Sequence, residues 1–183
     1  MKLRSGKVMN NNERNVIVLD LDRTLIHSVP SRYHNNTKCF GDFYICENKY
    51  LVFKRPEVDS FIKYCFSTFD QVIVWSSGTS YYVNEVISKL FKKKYKPHLV
   101  LTRDDCGRKD GFSKDINVIT RKLKGYDKKN IYFVEDKPQM IENLSIDNII
   151  QVDRYETNFL KRKRYYMRER DTTFRDIKKR RFY

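Results

Sequence analysis

Val16-Ile17-Val18-Leu19-Asp20-Leu21-Asp22-Arg23-Thr24-Leu25, residues 16–25, is the stretch that decides the fold of this chain. Four apolar residues in succession, without alternation, fit a strand buried on both faces. The run ends on Asp20, so the chain delivers two carboxylates, Asp20 and Asp22, to the carboxyl edge of that strand. An isolated Asp-x-Asp pair arises about once by chance in a chain of this length. Its position after a buried strand gives it weight. Two carboxylates brought together there repel unless a cation or a proton separates them, and a Mg²⁺ ion with oxygen ligands meets that need.

The same grammar recurs outward from this stretch. Tyr50–Phe53 reads as a strand leading into Lys54-Arg55-Pro56, with Pro56 suited to a first helical turn. Val58, Phe61, Ile62, Cys65 and Phe66 then form an apolar helical stripe. Val72–Trp75 is a second buried strand that stops at Ser76-Ser77-Gly78. Val83, Val86, Ile87, Leu90 and Phe91 form another stripe. His98–Leu101, Ile131–Val134 and Ile149–Val152 are further strands, and Ile116, Ile119 and Leu123 fit a short helix with Lys114 near its start. Residues 29–49, with Pro30, Asn35-Asn36 and Gly41, read as an inserted loop or hairpin. Apolar strands alternating with amphipathic helices predict an α/β sandwich around a mostly parallel sheet, with a small β insert after the first motif. In such sheets ligands bind beyond the carboxyl ends of the strands, where Asp20/Asp22, Ser76/Ser77 and Glu135/Asp136 all fall.

The chain has 183 residues, 40% of them hydrophobic and 14% aromatic, enough for one domain with a sizeable core. Residues 1–15 are expected to be a flexible lead-in and 16–183 the domain. No apolar run is long enough to span a membrane, and the N-terminus lacks the apolar core of a signal peptide. None of Cys39, Cys46, Cys65 and Cys106 lies in a C-x-x-C pair, which argues against zinc and for a reducing compartment, nuclear or cytoplasmic. A formal charge of +15 favours anionic partners. Much of it sits in the basic segment 154–183, where Lys161, Arg162, Lys163, Arg164, Arg168 and Arg170 interleave with Tyr165 and Tyr166. That mixture fits nucleic-acid contacts, a nuclear localisation signal, or a solvated helix face with Leu160, Met167, Phe174 and Ile177 turned inward. The default oligomeric state is a monomer.

Taken in order, these segments resemble the haloacid-dehalogenase superfamily of phosphatases. DLDRTLIHS (20–28) and YLVFKRPEVDSFIKY (50–64) are similar to segments of the FCP/SCP phosphatases, which act on the C-terminal domain of RNA polymerase II and on other phosphoproteins. VIVWSSGTSYY (72–82), GFSKDI (111–116) and YFVEDKP (132–138) resemble the later motifs of that family. The resemblance implies a HAD-like three-layer sandwich and an Mg²⁺-dependent serine/threonine phosphatase. Asp20 would be the nucleophile that becomes an aspartyl-phosphate, and Asp22 the acid/base. Mg²⁺ would be held by Asp20, the carbonyl of Asp22, and Asp136. Ser76, Ser77, Lys114 and Arg103 would bind phosphate, with Thr24 shaping the turn and Glu135 supporting the metal or the lysine. Phe43 and Tyr82, with Phe40 and Tyr44, would grip substrate, or else pack as ordinary hairpin aromatics. Three positions depart from the family pattern: Arg23 replaces an acidic residue, Ser76 a common threonine, and Glu135 an aspartate. His27 has no partner in the pattern and reads as structural. A nucleic-acid 3′-end phosphatase and a non-enzymatic phosphoprotein adaptor are the competing expectations.

Overall fold

The computed structural model describes residues 14–34, 41–107, 112–157 and 171–179. Most of the lead-in, Cys39, Phe40 and the tail positions 158–170 and 180–183 lie outside the described residues. Five strands form the central sheet: β1 (Val16–Leu19), β5 (Gln71–Trp75), β6 (Leu99–Leu101), β8 (Ile131–Glu135) and β10 (Ile149–Gln151), in the order β10-β8-β1-β5-β6. Every pairing in it is parallel.

β1 is the middle strand, and its four side chains are fully buried. Successive side chains of a strand point to opposite faces, and the core divides accordingly. Ile17 and Leu19 join Val72, Val74 and Val134 on one face, under helices α1 (Val58–Thr68) and α2 (Ser80–Leu90). Val16 and Val18 join Ile73, Trp75 and Phe133 on the other face, under α3 (Asn117–Lys122). This is the three-layer α/β sandwich expected, with a five-stranded sheet that is wholly parallel.

Three local features differ from the sequence reading. The insert is a three-stranded antiparallel sheet, β2-β4-β3, made from Ile26–Pro30, Tyr50–Lys54 and Phe43–Ile45. It begins at Ile26, directly on the turn after β1, rather than at residue 29. Pro56 sits in a turn before α1, because Glu57 takes a left-handed conformation (φ 61°) and the helix starts at Val58. Lys114 lies not at a helix start but in a two-residue strand, β7 (Lys114–Asp115), paired with β9 (Ile141–Glu142).

The Lys54-Arg55-Pro56 segment has a structural use. Arg55 is buried, and its Nε donates to Asp171 Oδ2 at 2.8 Å. Its Nη2 reaches Thr173 Oγ1 at 2.8 Å, and its Nη1 donates to the Thr24 carbonyl at 3.2 Å. The short helix Thr173–Lys178 is thereby pinned to the turn after β1, and Phe174 stacks on Phe61 with centroids 4.2 Å apart. Arg175 and Lys178 of that helix pair with Glu57. Truncating one partner of a buried ion pair strands the other charge, so Arg55→Ala is expected to cost about 3 kcal/mol of stability. Urea denaturation of both proteins checks this, and an unchanged midpoint would remove Arg55 from that role.

Candidate active site

The turn after β1 is tight. Leu25 and Ile26 both donate their amides to the Leu21 carbonyl, at 2.8 and 3.0 Å. Arg23 adopts φ 69°, which few non-glycine residues tolerate. Asp20 is held from its backbone, whose N–H donates to Val134 O at 3.1 Å. Thr24 is fully buried and joins this turn to the end of β8: its Oγ1 accepts from the Asp136 amide at 3.1 Å. The turn-shaping expectation for Thr24 thus corresponds to a definite bond between two strand ends.

Lys114 stands between the two strands. Its Nζ donates to Asp20 Oδ1 and to Glu135 Oε2, each at 2.7 Å, and all three residues are buried. The longer side chain of Glu135 spans this gap while its other oxygen accepts from the Lys137 amide at 3.2 Å. Burial alone would discharge Lys114, but the charges of Asp20 and Glu135 hold its pKa above the ordinary lysine value. Burial pushes the Asp20 carboxyl up, against the pull of Lys114. It pushes Glu135 up to about 8, assisted by the charge of Asp20.

Asp20, Glu135 and Asp136 bring carboxylate oxygens within 4.8 Å of one another. Three carboxyl groups this close repel one another when ionised, and the Lys114 ammonium cannot balance all three charges. Moreover, Asp20 Oδ2 and Asp136 Oδ2 are buried and have no hydrogen-bond partner. Buried polar atoms are normally satisfied, so this donor set fits a hard divalent cation such as Mg²⁺.

Asp22 is oriented by Tyr82, whose hydroxyl donates to Asp22 Oδ1 and also bonds Ser28 Oγ. Burial pushes the Asp22 carboxyl up to about 6, with the Tyr82 bond opposing the shift. Tyr82, expected to face substrate, is turned onto Asp22 instead. Phe43 packs against the core rather than into the cleft, and Tyr44 is exposed.

The carboxyl edge opens as a cleft of about 360 Å³ lined by Asp20, Asp22, Ser76, Ser77, Lys114 and Asp136. Ser76 is buried, and its Oγ accepts from the Gly78 amide at 3.1 Å. A Cβ on Gly78 would come within 2.8 Å of the Tyr82 ring, so glycine permits that approach. Arg103 is not among the lining residues. Its Nε donates to the Ser77 carbonyl at 2.8 Å, bracing the Ser76-Ser77 turn. His27 has a partner the sequence did not reveal. Its Nδ1 accepts from the Thr157 amide at 2.8 Å, and burial lowers its pKa to about 3, so the ring is neutral. The rim adds Arg23, Lys137 and Arg154 beside Phe112 and Met140; Arg23 departs from a motif, Phe112 and Lys137 fall inside motif segments, and Arg154 opens the basic segment, but the sequence reading assigns none of them to the cleft.

Comparison with known proteins matches this arrangement to a family. The chain is 30% identical over 145 residues to the CTD phosphatase-like protein 355R of Invertebrate iridescent virus 6, covering 69% of this chain and 79% of the viral protein. It is 27% identical over 176 residues to Nuclear envelope morphology protein 1 of Saccharomyces cerevisiae, covering 83% of this chain and 37% of that protein. The solved structure of Fcp1, an essential RNA polymerase II CTD phosphatase, shares the fold with a TM-score of 0.58 at 20% identity, over 78% of this chain and 42% of that one. The family model described as NLI interacting factor-like phosphatase matches residues 15–178. The chain therefore belongs to the NLI interacting factor-like phosphatases, the FCP/SCP-type family of the haloacid dehalogenase superfamily.

Proposed function

We propose that this chain is an Mg²⁺-dependent phosphoprotein phosphatase acting on phosphoserine or phosphothreonine through an aspartyl-phosphate at Asp20. The observation that carries the reading is the buried Asp20–Lys114–Glu135 cluster beside Asp136, with one partnerless oxygen on each aspartate. Asp20, Asp136 and the Asp22 carbonyl would hold Mg²⁺, which when bound neutralises charge and orients the phosphate.

Asp20 attacks phosphorus as Asp22 gives its proton to the departing serine or threonine oxygen. The phosphorus–oxygen ester bond breaks as the aspartyl bond forms. Asp22, now a carboxylate, takes a proton from water as that water attacks phosphorus and frees Asp20. Splitting the displacement in two lowers each barrier. Lys114 and Ser76 stabilise the transferring oxygens, where electrostatic positioning supplies most of the catalysis.

Asp22 must be protonated for the first step. Its carboxyl is raised to about 6 by burial, so the acid form prevails below that pH and is lost above it. The rate of the first step is expected to fall with rising pH through this region. Tyr82→Phe removes a bond that favours the carboxylate, so it should move that limb to higher pH. Matched pH–rate profiles check this, and coincident limbs would separate Tyr82 from Asp22 ionisation.

The formal charge of +15 favours a second substrate class, 3′-phosphorylated nucleic acid. Mg²⁺-dependent release of phosphate from a phosphoserine peptide, with none from a 3′-phosphorylated oligonucleotide, supports the proposal. The reverse result replaces it. We propose that the activity lies in the nucleus or cytoplasm, a reducing compartment that suits the free thiols of Cys46, Cys65 and Cys106. No helix among the described residues is long and apolar enough to cross a membrane.

A further inference from the structure

We propose that Arg23 and Arg154 form a subsite for a second phosphate, flanking the one removed, on the same polypeptide substrate. The inference rests on the phosphatase reading above and concerns which phosphoproteins that site selects. Both arginines line the cleft that contains Asp20 and Asp22. Between them sits Glu156. Its Oε1 accepts from Arg23 Nη1 at 3.1 Å and pairs with Arg154 Nε at 2.9 Å. A single carboxylate oxygen thus already bridges two guanidinium groups at the rim. Planar guanidinium forks match phosphate better than carboxylate, because three oxygens and about two charges face them.

The subsite is built rather than incidental. The strap Val152–Thr157 is fixed at three points: Val152 N–H to Glu135 O at 3.0 Å, Tyr155 N–H to Arg23 O at 2.7 Å, and Thr157 N–H to His27 Nδ1 at 2.8 Å. Tyr155 is buried, and its hydroxyl donates to the Lys54 carbonyl at 2.9 Å. These bonds set Arg154 beside Arg23, which is itself held in the left-handed region at φ 69°. The occupant is loosely held by comparison. The Glu156 side chain is 55% exposed and that of Arg154 50%, and exposed ion pairs are worth little. An incoming phosphate therefore displaces Glu156 at small cost. Lys137 adds a further cation to the lining. A peptide is favoured over a nucleic-acid strand because the same cleft is also lined by Met140 and Phe112, apolar contacts suited to side chains, and because Glu156 shows that an acidic polypeptide group fits the gap.

The test uses the full chain and serine peptides bearing one phosphate, or two phosphates separated by one to three residues. Binding is measured by fluorescence anisotropy in EDTA, and hydrolysis in Mg²⁺. One doubly phosphorylated spacing is expected to bind about tenfold tighter than the single phosphate. Arg154→Ala should remove that advantage, Arg154→Lys should restore part of it, and Glu156→Gln should widen it. Equal binding of singly and doubly phosphorylated peptides, or an advantage untouched by Arg154→Ala, overturns the subsite. A 3′-phosphorylated oligonucleotide that binds tighter than every peptide and loses its affinity in Arg154→Ala also overturns it. If the advantage appears in EDTA but neither peptide is hydrolysed in Mg²⁺, the subsite stands and the phosphatase reading fails.

Discussion

Replacing Asp20 with asparagine is expected to lower Mg²⁺-dependent turnover by about 10⁵-fold, the scale seen when a covalent nucleophile is removed. The substitution keeps the shape of the side chain and an oxygen able to accept from Lys114 Nζ, which donates to Asp20 Oδ1 at 2.7 Å. It removes the carboxylate charge that, in the proposed mechanism, attacks phosphorus. A second consequence separates catalysis from folding. Burial raises the Asp20 pKa, so the ionised form is less favourable folded than unfolded. A carboxyl raised in this way supports stability below its unfolded pKa and withdraws that support as pH rises. At neutral pH and without metal, Asp20→Asn should therefore raise the melting temperature while abolishing turnover. The same change would weaken the proposed cation site, so added Mg²⁺ should raise the melting temperature of the variant less than that of the original. Thermal scans in EDTA and in Mg²⁺, beside a phosphopeptide assay, read both effects. Retained turnover would end the proposed role of Asp20.

The parts of this molecule legible in the sequence are those whose signal is local. Val16–Leu19, Val72–Trp75 and Ile131–Val134 are unbroken apolar runs stopped by Asp20, Ser76 and Glu135, and they became the three central strands β1, β5 and β8. The parallel sheet then brings those stops to one edge, so the cleft followed from the strands. What stayed hidden depends on distant partners or on elements too short for a period. β7 and β9 have two residues each, and no periodicity exists at that length. Lys114 therefore read as a helix-start residue, when pairing with Ile141 sets it on a strand and its ammonium lies between two buried carboxylates. Arg55 belonged to a recognisable segment, but Asp171 lies 116 positions away, and nothing near Arg55 announces that partner. Tyr82 was expected to grip substrate and Arg103 to bind phosphate. Their contacts with Asp22 and the Ser77 carbonyl are properties of side-chain direction, which spacing alone does not encode.

Lys114→Met tests how the site would divide its positive charge between protein and the proposed cation. Methionine retains much of the lysine stem and removes the ammonium held between Asp20 Oδ1 and Glu135 Oε2, each at 2.7 Å. Turnover should fall about 10³-fold, the scale for loss of one preorganised electrostatic contact to a transferring oxygen. Stability should fall as well, by about 3 kcal/mol where both carboxylates remain ionised, and the size of that loss depends on pH. Burial raises Glu135 to about 8 even with Lys114 beside it, so without the ammonium its proton is held to higher pH still. A protonated carboxyl no longer needs the ammonium, which makes the substitution mild near pH 5. As pH rises past 8 the carboxylates must ionise against each other, and the penalty grows. Mg²⁺ supplies positive charge beside the same oxygens, so it should recover more stability in Lys114→Met than in the unaltered chain at high pH, without restoring turnover. Urea denaturation at pH 5.5 and 8.5, with EDTA or Mg²⁺, measures this. A destabilisation equal at both pH values would mean that Lys114 is not neutralising the Asp20–Glu135 pair.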